Sequence, residues 1–216
     1  MAKRKHKRRG ISPIAIAVVA ALMAAAFGGG WFLGVRSVTY TGDILLVNAD
    51  HLLPSDYVPE DLVTLYTMRH SFRLASSDIR LTRETYEAAQ KMFAAAEADD
   101  MNGFIITSGY RSYERQQEIY AETEAGKAQV PGGSEHQTGM AFDVTVETSE
   151  GFENTPQYEW LCQNAAKYGF IQRYPPNKSG ITGISYEPWH YRYVGVKAAQ
   201  QIHKAGITLE EYIAGQ

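Results

Sequence analysis

The sequence predicts an α+β domain, an antiparallel sheet flanked by helices, preceded by one N-terminal transmembrane helix. Three observations carry this. Beyond residue 43, short apolar runs of strand character are interspersed with amphipathic segments of helical period. The turns between them are too short for many right-handed crossovers, which favours antiparallel pairing. Ahead of all this lies one run of 25 residues without a charge, Ile11 to Val35.

That run can cross a hydrocarbon core of about 30 Å as a helix. Six Lys/Arg among Met1–Arg9 precede it, so the expected orientation is a cytoplasmic tail at 1–10, a signal anchor at 11–35, a linker at 36–43 and an extracytoplasmic domain at 44–216. The expected location is the cell membrane, as a single-pass protein. A cleaved signal peptide, with Ala24-Ala25-Ala26 as its small-residue site, is the competing reading. The apolar run continues past it through Trp31-Phe32-Leu33, which is long for a signal sequence. No cysteine stands in the segment, so a lipoprotein anchor is excluded.

The elements of the domain follow in order. Ile44–Val47 reads as a strand ending at Asn48-Ala49-Asp50, and Pro59-Glu60-Asp61 resembles a helix start with acids in its first turn. Thr82-x-x-Thr85 opens a helix to about Asp99, with Tyr86, Ala89, Met92, Phe93 and Ala96 on one face. Phe104–Thr107 is a buried strand. Ser112 caps a helix to Ala125, Gln129–Gly139 is a glycine-rich loop, and Met140–Val146 is a strand. Tyr158–Tyr168 is helical and stops at Gly169. A short strand begins at Phe170-Ile171, and Tyr174–Gly180 is a turn-rich loop. Tyr186–Val194 alternates in strand fashion, and Val196–Lys204 and Leu209–Ile213 close the chain as helices.

Charge and cysteine content narrow the function. Outside the basic tail, 15 basic side chains face 24 acidic ones, and this net −9 argues against nucleic acid as a partner. Cys162 is the single cysteine, so no internal disulfide forms and the domain relies on its core. It sits in a half-buried helical pattern with no histidine close in sequence, a poor setting for a nucleophile. No obligate protein partner is evident.

Two strings carry the chemistry: Ser134-Glu-His-Gln-Thr-Gly-Met-Ala-Phe-Asp143 and Glu187-Pro-Trp-His190. Two histidines, an aspartate and a nearby glutamate are what a hydrolytic zinc centre requires. Three N/O ligands hold the ion, a fourth position stays open, and a separate carboxylate handles protons. His136, Asp143 and His190 are the expected ligands of one Zn2+, and Glu187 the base. Glycines 132, 133 and 139 let backbone approach the ion. Positions three apart on a regular strand face opposite ways, so Glu187 and His190 can share a site only if Pro188 makes the strand irregular. A closed structural site needs a fourth ligand; His51, His70 and His203 are candidates without ligand-like context, and His6 lies on the other side of the membrane. Arg111, at a strand-to-helix junction, either stabilises an oxyanion, pairs with a substrate carboxylate, or bonds local carbonyls. The segment alone does not choose.

Ser-x-His-x-x-Gly-x-Ala-x-Asp at 134–143 and Glu-Pro-Trp-His at 187–190 resemble the VanY-type D-alanyl-D-alanine carboxypeptidases. These are zinc peptidases of bacterial peptidoglycan, related in fold to the VanX dipeptidases and the hedgehog signalling domain. Ser108-Gly-Tyr-Arg-Ser-Tyr113, Tyr168-Gly-Phe170, Arg173-Tyr-Pro175 and Arg192-Tyr-Val-Gly195 extend the likeness over nearly the whole domain. The resemblance implies a hedgehog/DD-peptidase-like fold and removal of the C-terminal D-alanine from stem peptides. It also implies Glu187 as the catalytic acid/base, with Arg111, Gln116, Ser134 and Tyr174 contacting the peptide and its terminal carboxylate. Related domains act instead as L,D-carboxypeptidases on tetrapeptide stems or as endopeptidases. A non-catalytic wall-binding module with a structural zinc is the alternative of another kind.

Overall fold

The computed structural model describes residues 39–41, 44–124 and 126–216. The basic tail and the apolar span at 11–35 lie outside the described residues. Among the described residues no helix is long and apolar enough to cross a membrane. The stretch expected as a linker contains strand β1 (Thr39–Thr41), paired antiparallel with β2 (Ile44–Leu46).

The central feature is a five-stranded sheet of β4 (Arg73–Leu74), β6 (Ile105–Ser108), β7 (Ala141–Thr145), β9 (Glu187–Tyr193) and β8 (Phe170–Tyr174), in that spatial order. Three of its pairings are antiparallel, as expected, but β4 and β6 are parallel, so the sheet is mixed. The correction has a simple physical origin. Parallel neighbours need a long crossover, and α1 (Arg83–Ala98) lies between these two strands in the chain. A two-residue strand shows no alternation by which sequence could find it.

A second correction falls at Pro59-Glu60-Asp61. No helix starts there; β3 (Leu62–Thr64) follows, paired antiparallel with β5 (Arg80–Thr82). Asp61 acts on another helix, because both its carbonyl and its carboxylate accept from the N–H of Arg83, the first residue of α1. The Thr82 hydroxyl accepts from Thr85 N–H, so α1 begins where its cap predicts.

The apolar face of α1 is buried as its spacing requires: Ala89, Met92, Phe93 and Ala96 are fully enclosed, with Tyr86 nearly so. Phe93 packs against Phe104 and Phe142, ring centroids 4.9 and 5.9 Å away. Each such large side chain contributes roughly 1.5–3 kcal/mol. Helix α2 (Tyr113–Glu122) opens at its Ser112 cap and ends short of the expected Ala125. Helix α3 (Pro156–Asn164) joins the α1 cluster through Trp160 and Leu161. The expected helix to Tyr168 continues only as a 3-10 turn before Gly169 reverses the chain at φ 90°. A single helical turn, α4 (Ser179–Thr182), follows the turn-rich loop. Helices α5 (Val196–Ala205) and α6 (Leu209–Ala214) pack with Ile171 and Val194 in a separate cluster. Phe142 and Val144 point toward α1, so alternation sends Asp143 to the other face.

Candidate zinc centre

Three elements bring the expected ligands together. Asp143 on β7 and His190 on β9 are direct cross-strand partners. His136 comes from a 3-10 turn, Glu135–Thr138, whose chain is turned into β7 by Gly139 at φ 65°. A Cβ on Gly139 would meet Leu62 Cδ2 at 2.8 Å. Gly109 is needed for a different reason: a Cβ there would collide with the carbonyl of Arg80. Its own carbonyl thereby reaches His136 Nδ1 at 2.7 Å.

That contact makes Nδ1 the protonated nitrogen of His136 and turns Nε2 toward Asp143 Oδ2, 3.4 Å away. His190 presents the other nitrogen, with Nδ1 3.0 Å from Asp143 Oδ1. One ligand atom from each of the three residues lies within 4.8 Å of the others. Two imidazoles and a carboxylate at this spacing fit one zinc ion with N/O bonds of about 2.0–2.2 Å. Among the described residues no other His, Cys, Asp or Glu joins the group. His51 Nδ1 bonds Asn48, His70 Nδ1 bonds the Phe72 carbonyl, and His203 lies on α5 beside a separate apolar cavity. The donor set is that of an open site, with a side free for substrate.

The irregularity required at Pro188 is present. A two-residue step on β8, Gln172 to Tyr174, is matched by a four-residue step on β9, Tyr191 to Glu187. Pro188 lies inside the widened stretch, where a missing N–H costs no ladder bond. Glu187 is thereby turned back toward the ligands, its Oε2 3.9 Å from His190 Nδ1.

A cavity of about 220 Å³ opens over these atoms. Arg111, Gln116, Ser134, Tyr174 and Glu187 all line it with the three expected ligands, and Trp189, 42% exposed, stands in its wall. Arg111 donates to Gln116 Oε1 at 2.8 Å and to Ser108 Oγ at 3.2 Å, while Gln116 Nε2 donates to the Gln129 carbonyl at 2.6 Å. Gln116 thus braces the guanidinium. Ser134 makes no capping bond to its turn. Tyr174 packs on the His190 ring at 5.0 Å.

The electrostatics separate the roles. Burial pushes the Glu187 carboxyl up to about 7; Asp143 and Glu135 add to this, and His190 and Arg111 oppose it. A carboxyl poised there can take and return a proton near neutrality. Asp143 is buried too, yet the two imidazoles hold it well below the usual carboxylate range. Burial lowers His136. It also works against charge on His190, but Asp143 and Glu135 outweigh it and lift that group to about 9.

The VanY family model, D-alanyl-D-alanine carboxypeptidase, matches residues 78–196, more than half of the chain. The chain belongs to the VanY family. The putative carboxypeptidase YodJ of Bacillus subtilis (strain 168) is 42% identical over 193 residues, covering 83% of this chain and 70% of YodJ. Among solved structures, the LdcB LD-carboxypeptidase matches with a TM-score of 0.69 at 34% identity, covering 84% of this chain and 96% of LdcB. A mutant of the vancomycin resistance D,D-pentapeptidase VanY from a VanB-type resistance cassette, solved in complex with Zn(II), matches with a TM-score of 0.64 at 38% identity, covering 78% and 97%. The cofactor of this VanY-family chain is zinc.

The fold also exposes a group of charges that the sequence reading did not single out for the site. Glu135 has no exposed side-chain surface; Arg173 Nε donates to its Oε1 at 2.7 Å, and Arg192 Nη1 lies 3.1 Å away. Burial alone would raise the Glu135 carboxyl, but Arg173 and Arg192 hold it well below the usual range. Each charge stands in a run that otherwise reads as ordinary: Arg173 and Arg192 in aromatic strands, Glu135 beside a ligand. Only contact between distant stretches of chain reveals the cluster.

Proposed function

We propose that this chain is a zinc-dependent D,D-carboxypeptidase that removes the C-terminal D-alanine from peptidoglycan stem peptides. The observation that carries the reading is that Glu187 and Arg111 line one cavity together with the His136, Asp143 and His190 donor group. When bound, zinc supplies Lewis acidity that polarises the scissile carbonyl and activates water. Glu187 takes the proton released in the attack and returns it to the departing amine of D-alanine. Arg111, held by Gln116 and Ser108, pairs with the terminal carboxylate or the developing oxyanion. Gln116, Ser134 and Tyr174 shape the cavity around the peptide, and Trp189 forms its outer wall.

The uncharged span at 11–35 with its basic flank supports a membrane tether that places the domain outside the cytoplasmic membrane, where stem peptides are assembled. The net-acidic body favours no nucleic acid. A second reading, L,D-carboxypeptidase action on tetrapeptide stems, is favoured by the likeness to LdcB. Purified protein incubated with penta- and tetrapeptide stems, with and without a chelator, separates the two through the D-alanine released. Metal-dependent release from the pentapeptide is expected; release from the tetrapeptide alone would overturn the D,D assignment.

A further inference from the structure

Glu135 does not line the cavity over the ligands, so it does not meet substrate there. A carboxylate stripped of all water is retained only where specific partners hold it. Its Oε1 belongs to the two arginines, but Oε2 lies 3.4 Å from His190 Nε2. A neutral imidazole that donates through Nε2 keeps its lone pair on Nδ1, the atom that faces Asp143. As neutral metal ligands the two histidines are therefore set in opposite tautomers, His136 by the neutral Gly109 carbonyl and His190 by a charged carboxylate.

The chain of contacts continues outward. Arg173 donates Nη1 and Nη2 to the two oxygens of Glu210 on α6, at 2.9 and 2.6 Å. Asn48, just past β2, donates to Glu210 Oε1 at 3.1 Å. Helix α6 is fixed in its turn by a Thr208–Glu211 capping box and by Lys178, which donates to Glu211. With both ends of its guanidinium occupied, Arg173 cannot swing away, and Glu135 is pinned with it.

We infer that Glu135 is a positioning residue that sets the orientation and tautomer of the ligand His190, and that Glu210 of the C-terminal helix secures it through Arg173. The inference rests on the reading of His136, Asp143 and His190 as zinc ligands.

The test is zinc affinity, measured on the full-length protein by competition with a chromophoric chelator, at a temperature where circular dichroism shows each variant folded. Failure of the parent protein to bind zinc would sink the ligand reading itself. With the parent binding, Glu135→Gln is expected to weaken zinc by about 10- to 100-fold, the usual effect of losing a partner behind a ligand. Glu210→Gln, on the far side of Arg173, is expected to weaken it by a smaller factor. A folded Glu135→Gln protein that binds zinc within twofold of the parent overturns the role of Glu135. An unchanged Glu210→Gln protein overturns the link to α6. Should Glu135→Gln not fold, long-range proton–nitrogen NMR on the unmodified zinc-loaded protein decides: a proton on His190 Nε2 is expected, and a proton on Nδ1 refutes the assignment. A merely structural Glu135 would lower the melting temperature without moving either readout.

Discussion

Zinc binding should release a proton, and His190 should be its source. In the metal-free protein the burial penalty on His190 is outweighed by Asp143 Oδ1 at 3.0 Å and Glu135 Oε2 at 3.4 Å, which lifts the imidazole to about 9. Near neutrality its Nδ1 therefore carries a proton that the metal must displace. His136 is lowered by burial and Asp143 is held ionised, so neither contributes a second proton above the ordinary histidine range. One displaced proton makes the apparent Kd rise tenfold for each unit that pH falls. Between pH 8.0 and 6.5 the His190 proton alone should lower zinc affinity about 30-fold. Glu187, poised at about 7 beside the same site, adds to the drop at the acid end. Chelator competition across that range gives the slope, and titration calorimetry in buffers of different ionisation heat counts the proton at pH 7. A flat profile, or a proton count near zero, would refute the idea that His190 is charged before zinc arrives.

Other perturbations test separate parts of the argument. Glu187→Gln should keep zinc while turnover falls by about 10²–10⁴-fold, the range for a lost general acid–base; turnover within threefold of the parent would remove Glu187 from the mechanism. Arg111→Ala should lower kcat/KM on pentapeptide by about 10²–10³-fold, with zinc affinity little changed, if it holds developing charge. Phe93→Ala should cost about 3–5 kcal/mol in urea unfolding, because Phe93 is fully enclosed between Phe104 and Phe142. For the metal-free protein, the raised His190 contributes stability that is fully present below the unfolded value near 6.5 and lost as pH rises through about 9. Its melting temperature should carry that declining contribution between those limits, and bound zinc should suppress it.

Much of the site was legible because its parts are local in sequence. His136 and Asp143 are separated by one turn and the start of one strand, and Gly139 between them marks the left-handed position that joins the two. The irregularity at Pro188 could be stated in advance because a proline has no N–H to give a ladder. The boundary of α1 was equally readable, since Thr82 and the apolar face from Tyr86 to Ala96 are a cap and a periodicity. Asp61 shows the opposite case. Its position after a proline suggests the first turn of its own helix, whereas it caps a helix that begins 22 residues later.

The residues themselves therefore determined an α+β pattern and the donor types that can hold a zinc ion beside a further carboxylate, and they carry a basic run followed by an uncharged apolar span. These depend on period, spacing and side-chain chemistry, which are properties of neighbouring positions. Tertiary structure decided the parallel β4–β6 pairing and the braced guanidinium of Arg111. It also decided the buried line from His190 through Glu135 and Arg173 to Glu210. Such pairings join distant stretches of chain, and their strength comes from excluding water around partners brought together only by folding. A charge in a sequence reads as a surface group until the fold shows what surrounds it.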